Sequence, residues 1–259
     1  SSAASDVYKR QVQEPPRRDK RLINPRKVFV LHLGGLGDLV LLNELVAALQ
    51  AAHPKAAITV ACRGVVAPVV GLYAHQPAAV LPLEVDPYPY EKVTPDLVAA
   101  VRRLVAGLPE DEMDIYVGAG LRPAWLAWIV AAKLQAHKTI MATLERPPQL
   151  VRQLLEVLEL QAAAVEYAAV PKGIHEIERY AALLNHLGVR RANDAALKLP
   201  PDARRRATEI LRDLGFRPGT YVTCFPGALP ATPEKMWPRE RFAYVLRKIG
   251  AEFGLTVLL

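Results

Sequence analysis

The sequence predicts an α/β fold with a doubly wound parallel sheet. Short apolar, β-branched segments alternate with segments of helical periodicity, and loops containing glycine or proline separate them. Strands and helices that alternate along a chain form parallel sheets covered by helices. The stretch from Lys27 shows the pattern most clearly: KVFVLHL predicts a strand, GGLGD a turn, and LVLLNELVAALQAAH a helix that is closed by Pro54.

The same alternation divides the chain into domains. AAITVAC and DIYVGAG predict further strands, and DLVAAVRRLVAGL and PAWLAWIVAAKL predict helices. The helix IHEIERYAALLNHLGV interrupts the alternation and precedes a polar stretch, RRANDAALKLPPDARRR, which is typical of an interdomain connection. We therefore place a first domain at 27–172, a connecting helix and linker at 173–200, and the start of a second α/β domain at 201–259.

Both ends of the sequence are unusual. Residues 1–26 have no apolar periodicity, contain three prolines and predict a disordered tail, and the opening letters SSAASDVYKRQ suggest a non-native extension. Residues 255–259 form an apolar run typical of a buried parallel strand, with no helix after it. We expect the second domain to be truncated, poorly soluble or locally disordered after about Pro200, and weak in binding a nucleotide donor.

Composition excludes several classes of protein. The chain has 259 residues, of which 51% are hydrophobic and 23% charged, so it is not a disordered polymer. Its two cysteines lie in apolar runs, which argues against a disulfide framework and favours the reducing cytoplasm. The six histidines lack metal-ligand spacing, and we predict no metal. A net charge of +7 favours anionic partners, but no interleaving of aromatic and basic residues indicates nucleic acid.

The first candidate site is the turn GGLGD, from Gly34 to Asp38, between a buried strand and a helix. Free backbone N–H groups and the helix dipole at such a place favour an anion or an ordered carboxylate. The glycines do not form the dinucleotide pattern G-x-G-x-x-G, which weakens a dehydrogenase interpretation. The alternative is structural: Asp38 only caps the helix, a contribution of about 1 kcal/mol.

Other candidates follow predicted strands. Arg63 and Arg122 are expected at the same sheet edge as Asp38, where they would form an anion pocket, although each alone is more typical of a solvated surface residue. His32 ends the first strand and either borders this site or is a packed, hydrogen-bonded histidine. A second loop, FPGALPATPEKMWP, carries lysine and threonine side chains that are suited to binding a phosphate group. The alternative is a solvated, proline-rich loop without a ligand. The candidate residues of this second loop are Gly227, Thr232 and Lys235.

Three segments in order resemble the family 9 glycosyltransferases, the heptosyltransferase group of lipopolysaccharide core synthesis. They are VFVLHLGGLGDLVLLNELVAALQAAHPKAAITV, IHEIERYAALLNHLGV and CFPGALPATPEKMWPRERFAYVLRKIGAEFGLTVLL. Glu44 stands where many members carry proline, and Phe225 replaces a more usual histidine. The resemblance implies the GT-B fold, with two Rossmann-like domains, an acceptor site in the first, a nucleotide-sugar site in the second, and metal-independent inversion at the anomeric carbon.

An inverting transfer needs a base for the acceptor hydroxyl and positive groups for the departing diphosphate. The resemblance implies Asp38 as the base and Lys235 with Thr232 and Gly227 at the donor. The acceptor site is predicted at the sheet edge of the Asp38 loop, because the two arginines follow strands that end there; its residues are Gly35, Gly37, Arg63 and Arg122. We predict transfer of a heptose or related sugar from an ADP-sugar to an anionic glycolipid acceptor, with no cofactor, in the cytoplasm or at the inner membrane's cytoplasmic face. The alternatives are a GT-B transferase that uses a UDP- or GDP-sugar, and a non-catalytic nucleotide-sugar-binding homologue.

Overall fold

The computed structural model describes residues 24–84, 92–120, 124–142, 149–168, 170, 173–192, 195–225 and 237–258. It divides into two compact units, with the boundary between Lys198 and Leu199. The first unit contains a six-stranded sheet in which every described pair of strands is parallel. The strands are β1 (Lys27–His32), β2 (Ala57–Arg63), β3 (Ala79–Leu83), β4 (Ile115–Gly118), β5 (Lys138–Met141) and β6 (Glu166–Tyr167).

The strand order is β3-β2-β1-β4-β5-β6, which is the doubly wound order. The α/β fold class predicted from the sequence is therefore confirmed. The chain first winds outward from β1 to β3 and then returns to place β4 on the other side of β1, so the order reverses between β1 and β4. Open α/β sheets bind ligands at the carboxyl ends of the strands beside this reversal point.

Among the described residues of the first unit, five α-helices cover the two faces of the sheet. They are α1 (Leu36–Ala52), α2 (Pro95–Ala106), α3 (Ala124–Leu134), α4 (Gln149–Val157) and α5 (Glu176–Leu187). A 3₁₀ segment, Gly64–Leu72, follows β2. One face of the sheet packs against α1, α5 and the 3₁₀ segment, and the other packs against α2, α3 and α4. Successive strand residues alternate between these two cores, as Phe29 and Val30 do, and this alternation makes the strands buried on both faces.

Helix α1 is apolar on most of its surface because it lies between the sheet and α5. Its Leu39, Leu42 and Leu45 are fully buried. The buried Asn43 amide donates hydrogen bonds to the carbonyl oxygens of Ala195 and Ala196, at 2.8 and 3.0 Å, and ties the segment after α5 to α1. This packing fixes the position of α1 on the sheet and therefore the position of its first turn.

The second unit contains α6 (Pro201–Asp213), α7 (Arg239–Phe253) and a parallel pair of strands, β7 (Tyr221–Thr223) and β8 (Thr256–Leu258). Among the described residues of this unit, the order along the chain is helix, strand, helix, strand. No residue of α6 or α7 is buried within the described part of this unit. Among the described residues of the whole chain, none of the helices has the length and apolar character needed to cross a membrane.

Candidate functional site

The candidate site lies at the carboxyl end of β1, beside the point where the strand order reverses. Residue His32 ends β1, and the chain passes through Leu33, Gly34 and Gly35 into α1. The helix begins at Leu36, three residues earlier than the sequence pattern predicts, so Asp38 lies within the first helical turn. The physical reason is the bond between Asp38 and the Gly35 N–H, which closes that turn.

Asp38 uses one carboxylate oxygen for this closure. Its Oδ2 accepts a hydrogen bond from the Gly35 backbone N–H at 2.8 Å, and Gly35 is the N-cap residue. The other oxygen, Oδ1, meets no hydrogen-bond donor among the residues that the structure describes. Asp38 is half-buried, whereas the neighbouring Gly35 and Gly37 are exposed. The capping role considered from the sequence is therefore present, but it leaves half of the carboxylate available to a ligand.

Gly34 allows the strand end and the helix start to come close together. A Cβ atom added at Gly34 would lie 2.5 Å from His32 Cε1 and 2.8 Å from Asp38 Cβ. Both distances are far inside van der Waals contact, so only glycine fits between these two side chains. At Gly37, by contrast, an added Cβ would have no atom of the described residues within 4 Å.

His32 is a hydrogen-bonded residue within the site. Its side chain is buried, and its Nδ1 accepts a hydrogen bond from the Gly34 N–H at 3.0 Å. Because Nδ1 acts as the acceptor, the imidazole is neutral and carries its proton on Nε2. Nε2 lies 2.9 Å from the Tyr180 hydroxyl, to which it donates. Both sequence interpretations of His32 hold, since it is packed and it also borders the Asp38 loop.

Tyr180 connects α5 to the same loop. Its hydroxyl donates to the backbone carbonyl oxygen of Asp38 at 3.4 Å, and its ring meets the His32 ring edge to face, with centroids 6.1 Å apart. Burial raises the pKa of Tyr180, and the Glu176 and Asp38 carboxylates add to that effect. The hydroxyl therefore remains protonated and able to donate.

A partly buried ion pair flanks the histidine. Glu176 Oε1 lies 3.8 Å from His32 Nε2, beyond hydrogen-bond distance, and Glu176 Oε2 pairs with Arg179 Nη1 at 2.9 Å. Burial raises the pKa of Glu176, but the His32 ring and the Arg179 guanidinium lower it more, so the net pKa is below its ordinary value. Glu176 is therefore an anion at neutral pH.

Only some of the other predicted site residues lie in the part of the chain that the structure describes. Arg63 ends β2 in register next to β1, where Cys62 pairs with His32, so it shares the sheet edge with the Asp38 loop as expected. Four predicted residues lie outside the described residues, and their positions stay predictions. These are Arg122, Gly227, Thr232 and Lys235.

Sequence reasoning missed the contribution of α5. Tyr180 and Glu176 are separated from His32 by more than 140 residues, and no local pattern joins them. The only available signal is the polar-and-apolar segment IHEIERYAALLNHLGV itself, and its pattern taken alone indicates a connection between domains. Among the described residues, no group of three or more histidine, cysteine or carboxylate side chains is arranged to hold a metal ion.

No protein-family model and no curated protein matches the chain. Solved structures with a similar fold do match. A family 9 glycosyl transferase from Veillonella parvula has a TM-score of 0.62 and 22% identity, over 91% of this chain and 62% of that one. The Escherichia coli heptosyltransferase WaaC, solved with ADP-2-deoxy-2-fluoro heptose, has a TM-score of 0.55 and 16% identity, over 89% of this chain and 67% of that one.

A third similar structure is the Escherichia coli ADP-heptose lps heptosyltransferase II, with a TM-score of 0.50 and 16% identity, over 89% of this chain and 63% of that one. The chain thus spans about two thirds or less of the length of these proteins. At this level of identity the similarity shows the fold, and the GT-B fold prediction is confirmed.

Proposed function

We propose that the protein is an inverting glycosyltransferase that moves a heptose or related sugar from a nucleotide sugar to an anionic glycan acceptor. The observation that carries the proposal is the Asp38 carboxylate at the reversal point of the sheet, with one oxygen fixed and the other open. The same fold in family 9 glycosyltransferases supports it.

Asp38 is suited to be the general base. The Gly35 N–H holds Oδ2, which fixes the orientation of the carboxylate in the first turn of α1. Oδ1 then accepts the proton of an acceptor hydroxyl as that oxygen attacks the anomeric carbon of the donor sugar and the nucleoside diphosphate leaves from the opposite face. The proton transferred to Asp38 is the one lost by the acceptor, so the step is balanced.

The donor site is proposed in the second domain. Lys235, Thr232 and the Gly227 backbone are the residues proposed to bind the departing diphosphate, Lys235 as a point charge and Thr232 as a hydroxyl donor. The donor nucleotide is proposed to be ADP, in keeping with the nucleotide sugar bound in the similar WaaC structure. Metal independence follows from the family resemblance alone and stays a prediction.

The acceptor site is proposed at the edge of the sheet that carries Asp38. Gly35 and Gly37 are exposed, so an acceptor can approach the backbone there, and Arg63 at the end of β2 supplies positive charge, to which Arg122 is proposed to add. The net charge of +7 suits an anionic glycolipid reached by peripheral contact with the cytoplasmic face of the inner membrane. Loss of the Arg63 charge in Arg63→Ala should raise the acceptor KM more than the donor KM.

The experiment compares Asp38→Asn with Asp96→Asn while ADP-, UDP- and GDP-sugars are supplied with a phosphorylated glycan acceptor. The asparagine at 38 keeps an oxygen for the Gly35 N–H but removes the base, so turnover should fall by about 10²-fold or more. Asp96, exposed in the first turn of α2, provides the same chemical change away from the site and should leave turnover unchanged.

The same assay separates the alternatives. Activity with a UDP- or GDP-sugar alone would assign the protein to another GT-B transferase. Binding of a nucleotide sugar without turnover by the wild-type protein would identify a non-catalytic homologue. Equal turnover by Asp38→Asn and Asp96→Asn would leave Asp38 as a helix cap only.

A further inference from the structure

We infer that His32 and Tyr180 are positioning residues that hold Asp38 in its reactive orientation, an inference that rests on the proposed function. Both side chains are buried, and among the described residues neither forms a hydrogen bond with the Asp38 carboxylate. Each instead binds the backbone on one side of the Asp38 carboxylate: His32 at the Gly34 N–H and Tyr180 at the Asp38 carbonyl oxygen.

His32 fixes the entry into the loop. Its Nδ1 accepts the Gly34 N–H at 3.0 Å, and the same ring blocks the space where a Cβ of residue 34 would lie. Gly34 is followed directly by Gly35, whose N–H binds Asp38 Oδ2. Rotation of the Gly34 peptide would therefore move the donor that orients the carboxylate.

Tyr180 fixes the exit from the loop. It is fully buried, so its hydroxyl needs partners within the protein, and it finds them in His32 Nε2 and the Asp38 carbonyl oxygen. The resulting chain runs from the Gly34 N–H through the imidazole and the phenol to the Asp38 carbonyl. One hydrogen-bonded chain thus binds the backbone before and at Asp38.

The chain requires neutral His32. A proton on Nδ1 would turn the acceptor into a donor that faces the Gly34 N–H. The charged and titratable groups around the ring are Asp38 from α1 and Glu176 and Tyr180 from α5, with Arg179 reaching it through Glu176. The Glu176 carboxylate pairs with the Arg179 guanidinium and lies 3.8 Å from His32 Nε2, too far for a hydrogen bond. The hydrogen-bond partner of Nε2 is therefore the Tyr180 hydroxyl.

Two substitutions at His32 separate the two ends of the chain. In His32→Asn the amide oxygen occupies the place of Nδ1 and can accept the Gly34 N–H, while the contact with Tyr180 is lost. In His32→Gln the longer side chain can reach Tyr180, while the acceptor for Gly34 is lost. Because Gly34 lies closer to Asp38 Oδ2 along the chain of contacts, we expect kcat to fall roughly 10- to 100-fold in His32→Gln and by less in His32→Asn.

Tyr180→Phe has a matched control in Tyr73→Phe. The Tyr73 hydroxyl is also buried and donates to the next carbonyl of the same helix, that of Leu39, at 2.5 Å, but it has no hydrogen bond to His32 among the described residues. Both variants should lower the melting temperature. Only Tyr180→Phe should lower kcat, by about 10-fold, with the KM values for donor and acceptor unchanged.

Imidazole ¹⁵N NMR of the wild-type protein provides a readout independent of activity. We expect the His32 resonances of a neutral ring with the proton on Nε2. A proton on Nδ1, or equal kcat in the two tyrosine variants, would overturn the inference. If the wild-type protein transfers no sugar, the proposed function fails. If Asp38→Asn retains full turnover, Asp38 is not the base and the positioning role fails with it; if Asp38→Asn is inactive while Tyr180→Phe equals Tyr73→Phe, only the positioning role fails.

Discussion

Helices α1 and α2 both follow a strand of the same sheet, but their first turns are held in different ways. At the start of α2 the Thr94 hydroxyl accepts the Leu97 N–H at 3.2 Å, and Pro95 and Asp96 favour the first turn. At the start of α1 the N-cap is a glycine without a side chain, and the groups that hold the loop are His32, Asp38 and the distant Tyr180.

The comparison distinguishes a helix start that only stabilises its helix from one that also leaves a polar group open to a ligand. The α2 start uses residues within three positions of each other, and its cap hydroxyl accepts a backbone N–H of the helix. The α1 start leaves a carboxylate oxygen open and depends on a buried chain of polar groups. Arrangements that forgo a simple local cap for a buried polar network are found where function requires the geometry.

The largest expected effect comes from filling the space at Gly34. In Gly34→Ala the added methyl group would collide with His32 and Asp38, so we expect a loss of about 1–3 kcal/mol in the free energy of unfolding. Turnover should fall by about 10²-fold because the carboxylate is displaced. Denaturant unfolding and steady-state kinetics measure the two losses.

Gly37→Ala is the control for stability. An added Cβ there is unobstructed among the described residues, and alanine favours a helix over glycine by about 1 kcal/mol. Gly37→Ala should therefore be as stable as the wild type or more so. A Gly34→Ala protein as stable and active as the wild type would show that the close approach of His32 and Asp38 is not needed.

A smaller effect is expected at the α2 start. Thr94→Ala removes the acceptor for the Leu97 N–H and should lower the free energy of unfolding by about 1 kcal/mol, with turnover unchanged. Thermal or denaturant unfolding measures the change. A loss of turnover without a loss of stability would mean that α2 also contributes to the site.

The smallest effect is a dependence of stability on pH at Glu176. Its pKa is lower in the folded protein than its ordinary value of 4.5, so its contribution is complete above that value and is lost as pH falls through the folded pKa. Glu176→Gln should therefore unfold with a shallower pH dependence below about pH 4.5 than the wild type. Identical slopes of unfolding free energy against pH would contradict a stabilising role for the carboxylate.

Local sequence signals predicted most of the fold and part of the site. The β-branched runs and helical periodicities give the strands and helices because those patterns arise from burial on the sheet. The sequence also predicts the turn at Gly34 and the carboxylate at Asp38 as candidates for the site, because a loop between a buried strand and a helix lies at the ligand edge of a parallel sheet.

The partners of that carboxylate were not predictable in the same way. The contact between His32 and Tyr180 joins residues 148 positions apart, and it depends on how α5 packs on α1. The apolar pattern also does not predict the early start of α1, because that start depends on the hydrogen bond from the Gly35 N–H to Asp38 rather than on apolar spacing. Long-range polar contacts leave no periodic signal in a sequence.

The most direct test is a crossed comparison of Asp38→Asn and Thr94→Ala, with turnover and unfolding measured on both proteins. We expect Asp38→Asn to lose about 10²-fold or more in turnover at nearly unchanged stability, and Thr94→Ala to lose about 1 kcal/mol of stability at unchanged turnover. If Asp38→Asn instead loses stability like Thr94→Ala and keeps its turnover, then Asp38 is a helix cap and the proposed base lies elsewhere.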